Sequence, residues 1–162
     1  MLTTPASADV LDDWRAGVES GCPAAVRDGE TFAAAGFVEL PGDGIGRVFG
    51  AGRDVRAHVR EVDGRRVCEV RAGGLRVAPV VEEAFGAFLD WADAAVATGA
   101  WRYGDAARER RLVPIAARIV SAAPNARGCG MEALFLADPY GGQMSLTVAE
   151  AAGEACAAAG DG

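Results

Sequence analysis

The side chains of this chain that could do chemistry are concentrated in one stretch, VRAHVREVDGRRVCEVRAGG, residues 55–74. The stretch holds the only histidine, one of the four cysteines and a dense run of arginines. Such a set could supply a general base, a thiol nucleophile or an anion-binding cluster. The same residues also alternate between apolar and polar, which is the pattern of a β-hairpin.

The dipeptide Asp63-Gly64 sets the register of this hairpin, because it is a strong signal for a two-residue type I′ turn. With that turn at the tip, His58 lies opposite Glu69 and Val59 lies opposite Cys68. A slip of one residue would exchange the two faces of both strands. The pattern therefore predicts that Cys68 faces the core and that His58 faces solvent.

The solvent side of the hairpin carries the residues that we single out as a candidate anion-binding set: Arg56, His58, Arg60 and Arg71. Guanidinium groups hold carboxylates and phosphates through paired hydrogen bonds. A histidine opposite a carboxylate also resembles half of a catalytic triad, but no GxSxG or other nucleophile motif accompanies it. We therefore assign no catalytic residue, and we keep a solvated, charged sheet face as the alternative to an anion site.

The cysteines stand at positions 22, 68, 129 and 156, too far apart for a CxxC redox or zinc motif. With a single histidine in the chain, we predict no metal site and no cofactor. All 16 basic residues are arginine, so lysine Schiff-base chemistry and a Walker-type phosphate lysine are excluded.

One pair of cysteines is placed to form a disulfide. Cys22 follows the first predicted helix at a Gly-Cys-Pro break, and Cys68 faces inward on the floor where that helix would lie. Cys129, in a Gly-Cys-Gly loop, and Cys156, in the tail, offer no better partner. We therefore expect either a Cys22–Cys68 bridge or four buried thiols, depending on the redox state of the compartment.

The overall charge limits the partners. A net charge of −7 and an isoelectric point near 4.7 disfavour binding to nucleic acid or to an anionic membrane surface. No apolar run approaches the ~20 residues that cross a bilayer, and the N-terminus does not match a signal peptide. We expect no membrane association and a cytoplasmic location by default, with a mature exported protein as the alternative.

The elements that hold the hairpin begin with a helix in which Val10, Leu11, Trp14 and Val18 recur at helical spacing; we predict that Gly21 and Pro23 end it. Strands are predicted at 37–40 and 46–51. The strongest helix pattern runs from Pro79 to Ala97, with acidic residues on its wet face. Its predicted apolar stripe consists of Val81, Phe85, Phe88, Leu89, Ala92 and Val96.

The C-terminal half is predicted to return to strands. WRYGDAARERR, residues 101–111, has the composition of a polar connection, and a strand is expected to begin near Ile115. Two further β-type runs joined through DPYGG, residues 138–142, predict a second hairpin. Met144, Leu146 and Val148 alternate with polar residues in its second strand. No internal repeat is visible.

This order of elements predicts the α+β class: an antiparallel sheet with an N-terminal helix and one long amphipathic helix packed on one face. We expect a single domain over 1–150 and a flexible tail over 151–162.

For function, we expect a small bacterial module that is not an enzyme and that binds a protein partner, self-associates or serves a structural role. The alternatives are a binder of a small anionic ligand through the arginine-lined sheet face and a secretion chaperone. The order of helix, strands, long helix and strands, with an acidic isoelectric point, resembles the small acidic chaperones of type III secretion. That resemblance implies a homodimer with an exposed apolar groove. However, those chaperones usually end in an amphipathic helix, and this chain ends in an Ala/Gly/Glu-rich segment without apolar periodicity.

Overall fold

The chain forms an eight-stranded antiparallel sheet with its helices packed on one face, so the predicted α+β class is confirmed. The architecture comes from a computed structural model. It describes residues 6–29, 32–42, 44–74, 77–104, 106, 109, 116–138, 140–151 and 156.

The N-terminal helix differs from the prediction at its C-terminal end. Helix α1 spans Ala6–Ala16, a π-helical turn spans Gly17–Gly21, and helix α2 spans Cys22–Asp28. The prediction that Gly21 and Pro23 end the helix is wrong. Proline is tolerated in the first turn of a helix, and the widened π turn lets the chain restart as α2 without interruption. The helix ends instead at Gly29, whose φ of 67° is left-handed.

The sheet is built from eight strands: β1 Val38–Leu40, β2 Gly46–Ala51, β3 Val55–Val62, β4 Arg65–Gly73, β5 Trp101–Tyr103, β6 Ala116–Ala122, β7 Met131–Asp138 and β8 Gln143–Glu150. They lie in the order β1-β2-β3-β4-β8-β7-β6-β5, and every pair is antiparallel. Strand β5 corrects the prediction of a polar connection over 101–111. Its three residues are too few for a periodic signal.

The register of the first hairpin is confirmed. His58 pairs with Glu69 and Val59 with Cys68, as the turn at Asp63-Gly64 requires. Asp63 and Gly64 both have positive φ, 51° and 74°, as a type I′ turn demands.

The long helix, α3, spans Val81–Ala97 after one 3₁₀ turn at Ala78–Val80, close to the predicted bounds. Phe88 stacks on Phe135 of β7 with ring centroids 4.8 Å apart, and Trp14 of α1 meets the same ring edge-on at 5.7 Å. Leu89 corrects the predicted stripe: it is only half-buried and lies outside the core, while Ala84 is fully buried. Alternating apolar residues of the sheet complete this core beneath the helices.

The sheet divides at the β4–β8 seam into two halves of the same topology. Each half is a helical segment followed by a meander of four antiparallel strands. The sequence shows no matching repeat. Both outermost strands, β1 and β5, are only three residues long.

Within the described residues, no helix combines the length and the apolar character needed to span a bilayer.

Candidate functional site

The four central strands present a face to the side opposite the helices, which we call the outer face. Strand pairing places twelve side chains there, three from each of β3, β4, β8 and β7: Arg56, His58, Arg60, Val67, Glu69, Arg71, Ser145, Thr147, Ala149, Glu132, Leu134 and Leu136.

Burial separates the two sides of these strands. On β7 and β8 every second residue is buried, including Phe135 and Leu146 at 0% exposure. The residues between them, such as Leu134 and Leu136, are only half-buried. None of the twelve outer-face residues falls in the buried class. An antiparallel sheet often leaves one face exposed to water, and such a face is then largely polar. The outer face departs from this pattern, because leucine and valine side chains lie among its polar residues.

All four residues of the predicted anion-binding set lie on the outer face. Arg56, His58 and Arg60 alternate along β3, and Arg71 lies directly opposite Arg56 on β4. The structure therefore brings them onto one surface. That they bind an anion stays a prediction.

Each of these arginines contacts a neighbour within the chain. Arg56 donates from Nη1 to the carbonyls of Val55 at 2.7 Å and Gly52 at 3.3 Å. The Nε of Arg71 is 2.8 Å from Oε1 of Glu69. The guanidinium groups are thus directed to separate partners rather than toward one common point.

His58 is oriented by an arginine rather than by the carboxylate opposite it. Nη1 of Arg60 lies 3.1 Å from Nδ1 of His58. Because a guanidinium only donates hydrogen bonds, Nδ1 accepts in this contact. A catalytic dyad would instead need Nδ1–H to donate to a carboxylate, and Glu69 is paired with Arg71.

Two glycines on β2 lie where a Cβ atom would be crowded by neighbouring strands. A Cβ atom at Gly46 would come closest to the Val59 carbonyl and then to Cβ of Arg60, and one at Gly50 would lie 2.8 Å from Cδ1 of Leu40 and 3.2 Å from Nη1 of Arg56. This close approach explains why β2 carries glycine at these two outward positions.

A shallow depression of about 350 Å³ marks one end of the outer face. Its lining includes Arg71, Leu136, Asp138 and Ser145. Apolar side chains and charges of both signs therefore meet in this depression.

Two disulfides cross-link the chain. Cys22 of α2 is bonded to Cys68 of β4, with Cα atoms 5.2 Å apart, and this is the pair that the sequence analysis singled out. Cys129 is bonded to Cys156, with Cα atoms 4.2 Å apart. The second pairing was not expected, because Cys156 falls in the predicted flexible tail 151–162. Of that tail only Ala151 and Cys156 lie within the described residues.

A buried polar network next to the second disulfide escaped the sequence analysis. Glu150 is 3% exposed, and its Oε2 accepts a hydrogen bond of 2.7 Å from the backbone N–H of Arg66. Its Oε1 accepts one of 2.8 Å from Nδ2 of Asn125, and Nη1 of Arg127 lies 3.6 Å from Oε2. The network ties the β6–β7 loop to the first hairpin. The missed signal is the alternation of β8, since Glu150 follows Val148 by two residues and shares its inward face.

A pair of opposite charge joins the edge strand β1 to β2. Arg47 donates two hydrogen bonds to Glu39, at 2.9 and 2.7 Å. These hydrogen bonds lower the pKa of the Glu39 carboxyl below its ordinary value of 4.5, and the nearby positive charge acts in the same direction. Both side chains are about half exposed.

Within the described part of the chain, no cluster of three or more histidine, cysteine or acidic side chains is arranged to hold a metal ion. Comparison with known proteins adds no assignment: no protein-family model, no curated protein and no solved structure matches this chain.

Proposed function

We propose that the chain is a binding module rather than an enzyme, and that it takes a polypeptide partner on the outer face. The observation that carries the proposal is the mixed character of that face. Arginines of β3 and β4 share the face with Val67 of β4 and with Leu134 and Leu136 of β7, and these three apolar residues are only half-buried. Apolar side chains on a charged, partly exposed face are typical of interaction sites.

The chemistry of the reactive side chains supports binding over catalysis. The four cysteines are bonded in pairs, so none of them is available as a thiolate nucleophile. His58 accepts from Arg60 at the nitrogen that a triad would use to donate. A guanidinium keeps its charge at any physiological pH, so these arginines can also attract acidic groups of another surface besides their present contacts.

The disulfide and the helix packing favour a rigid outer face. The Cys22–Cys68 bridge fastens α2 to the inward side of β4, and helix α3 packs on the inward side of β7. A rigid scaffold lowers the entropy cost of ordering an interface on binding.

We also propose that the module works in an oxidising compartment. Two disulfides in one small chain are typical of exported proteins and rare in a reducing cytosol. The cytoplasmic location expected by default is therefore the less favoured alternative.

A photo-reactive amino acid tests the binding face in the native host. Incorporated at Thr147, at the centre of the outer face, it is expected to form cross-links to a polypeptide. The matched control is Asp90, exposed on α3, where we expect no cross-link. Absence of cross-links at Thr147, or equal yields at the two positions, would contradict the proposal.

A further inference from the structure

The two disulfides differ in their access to solvent. Cys22 and Cys68 are both 0% exposed and belong to the hydrophobic core between the helices and the sheet. Cys129 is also 0% exposed, but it lies outside that core, and its partner Cys156 is only half-buried. Because a thiolate must reach a sulfur atom to open a disulfide, the second bridge offers the point of attack in the folded protein.

The second bridge lies just beyond one end of the β7–β8 ladder. Met131 pairs with Glu150 at that end, and the backbone N–H of Ala151 then donates to the carbonyl of Gly130 at 2.7 Å. These backbone hydrogen bonds hold the two strands together without the bridge. Opening the Cys129–Cys156 bond therefore leaves the sheet intact, whereas opening the first bridge would remove the covalent link between α2 and β4.

Hydrogen bonds connect the second bridge to the buried network of Glu150. The backbone N–H of Asn125 donates to the carbonyl of Cys129 at 2.9 Å, and the N–H of Cys129 donates to Oδ1 of Asn125 at 3.1 Å. The same Asn125 side chain donates from Nδ2 to Glu150, which also accepts from the backbone N–H of Arg66. The conformation of the β6–β7 loop therefore bears on a hydrogen bond at the tip of the first hairpin.

We propose that Cys129–Cys156 is a redox-labile disulfide, which a dithiol opens in the folded protein, and that its opening loosens the Glu150 network while Cys22–Cys68 stays closed. A thiolate of the dithiol attacks Sγ of Cys156, and Cys129 leaves as a thiolate that takes a proton from water. The second thiol of the reductant, as its thiolate, then displaces Cys156 from the mixed disulfide. Two electrons thus pass to the protein, and the dithiol ends as a disulfide. The inference goes beyond the proposed binding function and does not depend on the outer face.

Differential alkylation of the complete oxidised chain tests the selective opening. The native protein is incubated with dithiothreitol and blocked with light iodoacetamide, then denatured, fully reduced and labelled with heavy iodoacetamide before peptide mapping. We expect light label on Cys129 and Cys156 and heavy label on Cys22 and Cys68. The second bridge should open about 1000-fold faster or more, because the first becomes accessible only when the core opens.

The control is the same treatment in urea, where all cysteines should carry the light label. Equal rates of opening for the two bridges in the native protein would overturn the inference. So would heavy label on Cys129 and Cys156 under conditions in which the urea control is fully light.

Amide hydrogen exchange tests the effect on the Glu150 network. It compares the oxidised protein with the dithiothreitol-treated protein and with the double variant Cys129→Ser, Cys156→Ser, which cannot form the bridge. The amide of Arg66 should exchange about tenfold faster or more in both open forms, because its acceptor Glu150 is held less firmly. The amide of Val70, in the middle of β4, should exchange at the same rate in all forms and serves as the internal control. An Arg66 amide whose exchange does not change when the bridge is opened would overturn the inference.

Discussion

Removal of each disulfide should destabilise the protein by an amount that follows the length of the loop it closes. The Cys22–Cys68 bridge spans 46 residues and the Cys129–Cys156 bridge spans 27. The chain-entropy relation for cross-links gives about 4 kcal/mol for the first loop and about 3.5 kcal/mol for the second. The variants are the paired substitutions Cys22→Ala with Cys68→Ala, and Cys129→Ala with Cys156→Ala.

Packing should increase the difference in stability loss between the two double variants. Cys22 and Cys68 are both 0% exposed, so the first pair of alanines also empties space in the core, whereas Cys156 is only half-buried. We therefore expect the first variant to lose more stability than the second. Each variant should also show a steeper dependence of the unfolding free energy on urea, because the denatured chain expands when a cross-link is removed.

The assay is urea denaturation followed by tryptophan fluorescence, with Trp14 reporting from the core, where it is 0% exposed. Thiol counting on wild-type protein denatured without reductant comes first, and we expect no free thiol. Four free thiols, or bridges between other cysteines, would refute the pairing. Losses below about 1 kcal/mol for both variants would refute the loop-closure reasoning.

Three further changes test other parts of the fold by the same denaturation assay. Phe88→Ala should cost ~3–5 kcal/mol because its ring is buried, whereas half-buried Leu89→Ala should cost about 1 kcal/mol; equal losses would show that the helix face is misassigned. Glu150→Ala should cost about 3 kcal/mol, since it leaves buried donors and an arginine without their carboxylate; a loss below about 0.5 kcal/mol would contradict the network. Glu39→Gln should remove a stabilising contribution that is present above pH 4.5 and is lost as the pH falls, because the hydrogen bonds from Arg47 lower the Glu39 pKa on folding. A difference between wild type and Glu39→Gln that does not change with pH would contradict that assignment.

The first hairpin and the long helix could be predicted from sequence because local signals set them. Asp63-Gly64 determines the turn, and the alternation on both sides of it leaves one register that buries Cys68. Likewise, the acidic residues on one side of α3 and the apolar residues on the other predict which side packs against the core.

The rest depends on contacts between distant parts of the chain. Strand β5 exists because Trp101–Tyr103 pairs with β6, and a three-residue strand leaves no periodic pattern of its own. Helix α2 begins after a π turn, at Cys22, which is bonded to Cys68 of β4. A contact between positions this far apart in the chain leaves no local signal in the sequence. The candidate site has the same limit: the sequence placed its arginines on one face, but the leucines on that face come from β7, about seventy residues further along the chain.

Hydroxyl-radical footprinting of the native protein tests most directly whether the outer face binds a polypeptide. Oxidation of Leu134 and Leu136 is measured in fresh extract of the native host and again after the purified chain is diluted to low concentration. Tyr140, 94% exposed on the β7–β8 turn, serves as the internal reference. We predict strong protection of both leucines in the extract and loss of that protection on dilution, while Tyr140 stays reactive throughout. Leucines that are oxidised equally in both samples would contradict the assignment of the outer face as a binding surface.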